Sequence, residues 1–281
     1  MTADVDGVPL WFESPDVELA PMPEAFASAL LLPSQHCGKP LVCESALSET
    51  WMTNANKIIH QWHEWWGYQP RQPTADVRPD IDARGHARAL LFSAGVDSFH
   101  TLLTGPAPDV LVAVHGFDIT LEDVDRMAAL RRATEAAAGA HDCLPVVVRT
   151  NLREHPSFGK PHTWERSHGG ALIAIGHLLS NRIGELAISS SWFTPGEQPW
   201  GSHTVTDPFF AANGFTVDHF GGTTRREGKI TAVAFDPIVR QHVRVCWKNT
   251  SPSTNCSRCE KCVITMLHFL ENGVLKEFEV F

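Results

Sequence analysis

The rhythm of apolar positions changes near residue 86. Before it, Trp51, Ile58, Ile59, Trp62 and Trp66 recur at helical spacing. Ser48 is placed to cap that helix and Gly67 to end it as its C′ residue. A tryptophan stripe at this spacing reads as a helix packed on a core rather than as a platform for stacked bases. Leu10–Phe12 and Leu41–Cys43 read as short strands. Gln69-Pro-Arg-Gln-Pro breaks the pattern, and Val77–Ile81 reads as a further strand weakened by Pro79. From Ala87 onward, short apolar runs alternate with longer helical patterns. Strands are expected at Ala89–Phe92, Val110–Val114, Pro145–Val148 and Glu185–Ser189. Helices are expected over Ser98–Leu103, Leu121–Ala138 and Gly170–Ser180. This alternation predicts an α/β, doubly wound parallel sheet covered on both faces. The expected division is a small N-terminal α+β region over 1–85, of undetermined role, and a domain over 86–281.

Composition narrows the function. Apolar residues make up 43% of the chain and charged residues 20%, as in ordinary folded proteins. The formal charge of -9 argues against a protein that coats nucleic acid, since phosphate binding draws on surplus Lys and Arg. No apolar run approaches the ~20 residues of a membrane span. The acidic N-terminus lacks the features of a signal peptide, so a cytoplasmic location is expected.

Two stretches carry chemistry. Ser93-Ala94-Gly95-Val96-Asp97-Ser98 sits between a predicted strand and a predicted helix. Small residues let backbone N–H groups approach an anion, and a helix N-terminus adds partial positive charge. Ser93 and Ser98 offer hydroxyls, and Gly95 offers backbone freedom. Asp97 can orient the loop through backbone hydrogen bonds or help to hold Mg2+. A plain capped corner is the alternative.

The second stretch is Cys246, Cys256, Cys259 and Cys262, spaced C-x9-C-x2-C-x2-C. Four thiolates at this spacing close a tetrahedral Zn2+ shell, with an iron–sulfur cluster as the other metal reading. Four protein ligands leave no open position, so the role is structural. The site, over 246–262, would pin a helix at Val263–Leu270. Cys37, Cys43 and Cys143 lack the spacing and read as ordinary buried residues.

The loop resembles the SGGxDS pyrophosphate loop of the N-type ATP pyrophosphatases, with Ala94 in place of the first Gly. Loop and cysteine spacing together resemble 7-cyano-7-deazaguanine synthase and its relatives, over roughly Ala87–Leu270. The resemblance implies a HUP-like domain that binds ATP through Ser93, Ala94, Gly95, Val96, Asp97 and Ser98. It implies attack on the α-phosphate, giving an adenylated intermediate and pyrophosphate. It sets the segment Val112–Asp118, with His115, beside the adenosine, though His115 reads almost as well as a structural histidine. It suggests His168 and Asp207 near the substrate, and Asp97, Lys229 and Arg225 in catalysis. His168-Gly169-Gly170 reads either as a ligand-facing helix N-terminus or as a capping turn. Ser189–Phe210 reads as a substrate loop whose aromatics stack on a flat heterocycle, or as a loop folded on its own tryptophans. Arg225 and Lys229 face phosphate or are solvated charge.

The leading expectation is ATP-dependent adenylation of a carboxylate or amide-like oxygen, with a 7-deazaguanine as a candidate, followed by attack of a nitrogen nucleophile. ATP, Mg2+ and Zn2+ are the expected cofactors. The acceptor is a small molecule or is borne on a protein, and a homodimer is allowed. Sulfur transfer to tRNA or a small molecule, with Cys143 as nucleophile, is a second reading. A non-catalytic zinc-ribbon interaction module is a third.

Overall fold

The computed structural model describes residues 1–81, 85–250 and 254–281. Parts of the expected 1–85 region and of the expected 246–262 metal segment, at 82–84 and 251–253, lie outside the described residues. The chain opens with a hairpin, β1 (Thr2–Val5) and β2 (Val8–Glu13), turned by Asp6 and Gly7 at positive φ. Helix α1 (Pro23–Cys37) follows, then β3 (Leu47–Ser48), α2 (Glu49–Trp66) and β4 (Val77–Arg78). The alternating part runs β5 (Ala87–Leu91), α3 (Val96–Thr104), β6 (Val110–His115), α4 (Val124–His141), β7 (Leu144–Thr150), α5 (Thr163–Leu178), β8 (Ile183–Ser189) and β9 (Thr216–Phe220). Three helices complete it: α6 (Arg226–Val233), α7 (Pro237–His242) and α8 (Glu260–Glu271).

The result is an α/β chain with a mostly parallel seven-stranded sheet, ordered β1-β2-β7-β6-β5-β8-β9. β5, β6 and β7 pair in parallel, with Leu90 opposite Leu111 and Val112 opposite Val146. The middle residues of these strands, among them Leu90, Leu111, Val112, Val146 and Val148, are buried and apolar, as parallel strands covered on both faces require. The order turns at β5. Ligands of such sheets bind beyond the carboxyl ends of the strands at that kind of turn.

The chain groups into two compact units. The first comprises Met1–Arg88, Asn151–Ile188 and Glu197–His219. Here α1 packs along α5, and α2 lies on the turn at Asp207–Phe210. Ser48 caps α2 by accepting from Trp51 N–H, a contact worth about 1 kcal/mol. Gly67 ends the helix in the left-handed conformation. Trp51, Ile58, Ile59 and Trp62 are buried, so the tryptophan stripe is a core face, and Trp51 Nε1 donates to Ser28 Oγ at 2.9 Å.

Several expected elements differ in extent. Leu41–Cys43 forms no strand, only a bridge from Val42 to Thr74. The strand at Val77 stops at Arg78, because Pro79 has no N–H for a ladder. The helix expected from Leu121 begins at Val124, where Asp123 accepts from Arg126 N–H. Cys37 is exposed and Cys43 and Cys143 are half-buried, so none of the three is the buried residue expected.

The largest shift is in α5. It begins at Thr163, so His168, Gly169 and Gly170 lie inside it and form neither a helix N-terminus nor a capping turn. Their glycines serve close packing instead. A Cβ on Gly169 would stand 2.2 Å from Gly201 O, and one on Gly170 2.3 Å from Ser28 O.

The second unit comprises Ala89–Thr150, Ser189–Gly196 and Phe220–Phe281. Within it α3 packs on α6, α4 on β6 and α7, and α6 on α8. Among the described residues no helix is long and apolar enough to cross a membrane.

Candidate functional site

The loop after β5 folds back on its own side chains. Ser98 Oγ donates to Gly95 O at 3.0 Å, and Gly95 N–H donates to Ser93 Oγ at 3.3 Å. Gly95 is the N-cap of α3, with no side chain capping the helix. The first-turn amides, lacking helical carbonyls, are therefore left for another acceptor. Ala94 adopts φ +55, a left-handed conformation that costs an alanine about 1–2 kcal/mol. It is held there from below, since Arg244 N–H donates to Ala94 O at 2.8 Å.

Two cations meet at the loop. Arg226 Nη1 lies 2.7 Å from Asp97 Oδ2, and Lys229 Nζ lies 3.3 Å from Asp97 Oδ1. Lys229 Nζ also donates to Ser190 O. The Lys229 side chain is 3% exposed, whereas Asp97 is 23% exposed. The ammonium is thus buried beside the loop, and the carboxylate that neutralises it faces partly outward. The Ser189–Gly196 segment is fixed by Ser190 N–H to Phe220 O and Thr194 N–H to Gly222 O, each 2.8 Å. Behind Lys229, His100 is buried. Burial chiefly, and then the Lys229 charge, push its pKa below the ordinary histidine value, partly offset by Asp97.

Both Asp97 side-chain oxygens face cations, which differs from the backbone hydrogen bonding that the loop pattern predicts for it. Arg226, not Arg225, makes the ion pair, and Arg225 lies over the Phe193 ring at 4.3 Å. A helical signal could have found this. Arg226 and Lys229 are three residues apart inside α6 and share a face, whereas Arg225 is its N-cap. Ser190 O carries no side-chain signature, so no motif could reveal it.

His115 is buried at the end of β6, its Nε2 2.9 Å from Thr120 O. It braces the turn that Gly116 makes possible. A Cβ on Gly116 would stand 1.8 Å from Thr150 O, and its φ is +103.

The metal-ligating residues converge. The sulfurs of Cys246, Cys256, Cys259 and Cys262 all lie within 4.8 Å of one another. Cys256 and Cys262 are 3.9 Å apart, and Cys259 and Cys262 3.4 Å. A tetrahedron of Zn–S bonds of ~2.3 Å has edges of about 3.8 Å, so the four thiols are close enough to hold one zinc ion. The N–H groups of Arg258 and Cys259 pull the Cys256 thiol down to about 6, toward the thiolate that a metal needs, whereas burial and the Cys259 thiol push the Cys262 thiol up. Asn255 ties the knot inward, accepting from the N–H groups of Val245 and Cys246 and donating to Val243 O.

No protein-family model, curated protein or solved structure matches this chain. Its chemistry therefore has to be read from its own geometry.

His168 and Asp207 belong to the first unit. His168 Nδ1 lies 3.2 Å from Trp164 O, and its ring packs against Trp200. Asp207 is fully buried. It accepts from Ser202 Oγ at 2.6 Å and from His203 N–H at 3.1 Å, with His219 Nε2 at 3.6 Å. Burial raises its carboxyl to about 7 against the pull of these hydrogen bonds. A side chain with no exposed surface organises its loop rather than touching a ligand directly.

Proposed function

We propose that the second unit binds ATP at the Ser93–Ser98 loop and splits it into AMP and pyrophosphate, as an N-type ATP pyrophosphatase resembling 7-cyano-7-deazaguanine synthase-like proteins. The observation that carries this reading is the buried Lys229 ammonium, with Arg226, held by Asp97 beside an uncapped helix N-terminus. Fixed cations and amides aimed at one place stabilise charge as it develops, without reorganising. An acceptor oxygen, from a carboxylate or amide-like group, attacks the α-phosphorus. The bond from that phosphorus to the oxygen bridging the β-phosphate breaks. Pyrophosphate leaves with that electron pair, in the field of Lys229 and Arg226. A nitrogen nucleophile then attacks the activated carbon and expels AMP. A 7-deazaguanine carboxylate is the first acceptor to try.

Magnesium arriving with the nucleotide would neutralise phosphate charge. Asp97 is not available to hold it while it holds both cations. The four cysteines would hold one zinc ion, which would fix α8 to the loop before it. Sulfur transfer gains no support, because Cys143 stands just before β7, at the opposite end of the parallel strands from the loop. Its thiol is also pushed up by burial and by Asp109 and Asp142, away from the nucleophilic thiolate.

The test is AMP and pyrophosphate release from ATP with and without 7-carboxy-7-deazaguanine, in wild type and Asp97→Ala. Acceptor-stimulated release that is lost in the variant supports the reading. No ATP binding by the wild type overturns it. Elemental analysis checks the metal: one zinc per chain is expected, and a Cys259→Ala chain that folds unchanged without metal would refute its structural role.

A further inference from the structure

A cleft of about 510 Å³ opens between α4 and α7, lined by Arg126, Arg132, Arg244, His242, Leu130 and Ala133 among others. Ala94 reaches its rim, but Ser93, Asp97, Ser98 and Lys229 do not line it. The volume lies within the range of small-molecule sites, about 300–1,000 Å³.

The charges lining this cleft are unbalanced toward the buried end. Arg244 is 91% buried by its 9% exposure, and the Arg126 side chain is 9% exposed. Both guanidinium groups converge on one residue. Arg126 Nη2 donates to Asn249 O and Arg244 Nη2 to Asn249 Oδ1, each at 3.1 Å. Asn249 is itself anchored, donating to Asp118 O at 2.9 Å. Two carboxylates lie near this pair: Asp123 caps α4 and takes Arg126 Nε at 2.9 Å, and the Asp118 charge reaches Arg244 without forming an ion pair with it. Asp125 also lines the cleft but is exposed. Arg244 makes no ion pair among the described residues, and its Nε is buried with no acceptor.

Arg126 is offset by Asp123, but Arg244 has no such partner among the described residues, and a buried guanidinium without one is unfavourable. An N–H group left orphaned in a cleft marks where an acceptor belongs. Guanidinium groups accept carboxylate or phosphate in paired hydrogen bonds. Leu130, Ala129 and Ala133 supply an apolar wall beside them.

From these residues we infer that the cleft between α4 and α7 is a binding site for a small molecule with an oxyanion head, carboxylate or phosphate, on an apolar body. Arg244 and Arg126 take the head, Arg132 draws it in from the rim, and the leucine and alanines take the body. The inference does not depend on what the Ser93–Ser98 loop binds.

The experiment is calorimetric titration of the full chain with phenyl phosphate and with benzoate, at low salt. Wild type is expected to bind at least one of them, and the preferred probe names the head group. Arg244→Gln is expected to weaken binding about tenfold or more, as loss of a charge-assisted pair does. Because Arg244 is buried, Arg132→Glu provides the independent variant: it sits on the exposed face of α4 and is also expected to weaken binding about tenfold, by charge reversal. Failure of both probes to bind wild type overturns the inference. So does binding that survives Arg132→Glu and a folded Arg244→Gln but is lost in Ser98→Ala, which would move the anion to α3.

Discussion

Asp97 and Asp207 are the same side chain in opposite circumstances. Asp97, in the second unit, is partly exposed and holds two cations in charge-to-charge contact. Asp207, in the first, is fully buried and held mainly by a hydroxyl and one backbone N–H, with a histidine further off at 3.6 Å. The first arrangement stores positive charge that an incoming anion can take over. The second makes a carboxyl that takes up its proton near neutrality, because hydrogen bonds alone do not repay its burial. One pattern suits binding, the other suits the internal order of a loop.

The largest expected effect comes from breaking the Asp97 arrangement on its cationic side. Lys229→Met keeps the length of the side chain and removes the ammonium. We expect pyrophosphate release to fall by roughly 10²–10³-fold, the size seen when one preorganised stabilising group is lost. The variant leaves Arg226 alone at Asp97, so Arg226→Gln should cost less, as that side chain is 34% exposed and partly screened. Turnover that survives Lys229→Met, measured at saturating ATP, would remove Lys229 from the chemistry.

Asp207 should respond to pH instead. Its folded pKa, about 7, lies above the ~3.9 of an unfolded aspartate. The folded state therefore binds the extra proton between those values. Stability from this group is complete below about pH 4 and is lost as pH rises through 7. The loss is on the order of 4 kcal/mol at most, by 1.36 kcal/mol per unit. Denaturant unfolding at pH 5 and pH 8 measures it. Asp207→Asn, which still offers an acceptor to His203 N–H, should flatten that dependence. An unchanged slope in the variant would assign the pH response to other buried groups.

The same contrast explains what could be read from the sequence. The Ser93–Ser98 loop and the four cysteines are contiguous patterns whose chemistry needs fixed spacing, and the alternation of β5 to β8 follows from apolar periodicity. Arg226, Ser190 and Arg244 act on the loop from more than 90 residues away in the chain. Which cation meets Asp97 depends on the phase of α6, and Ser190 contributes only a backbone carbonyl. Helix α1 escaped notice for a different reason. Its Ala25 to Pro33 stretch is buried on nearly every side, which erases the 3.6-residue rhythm, and Pro33 argues against a helix. Gly169 and Gly170 misled because a glycine pair signals a helix end as readily as a close approach.

The smallest expected effect concerns Ala94, where local strain and packing compete. At φ +55 a glycine avoids the clash that an alanine meets, but it also enlarges the freedom of the unfolded chain. Relief of about 1–2 kcal/mol against an entropic cost of roughly 0.5–1 kcal/mol leaves a net gain for Ala94→Gly. For a chain of this size a gain of about 0.5–1 kcal/mol raises Tm by roughly 1–4 °C. The alanine methyl is buried, at 1% exposure, so its removal works the other way. A rise in Tm with unchanged Arg244 packing would mean that strain dominates at the loop. A fall would mean that the methyl wedges the loop against the Arg244 segment, and that Ala94 stands where a glycine would fit because the loop needs a floor more than it needs freedom.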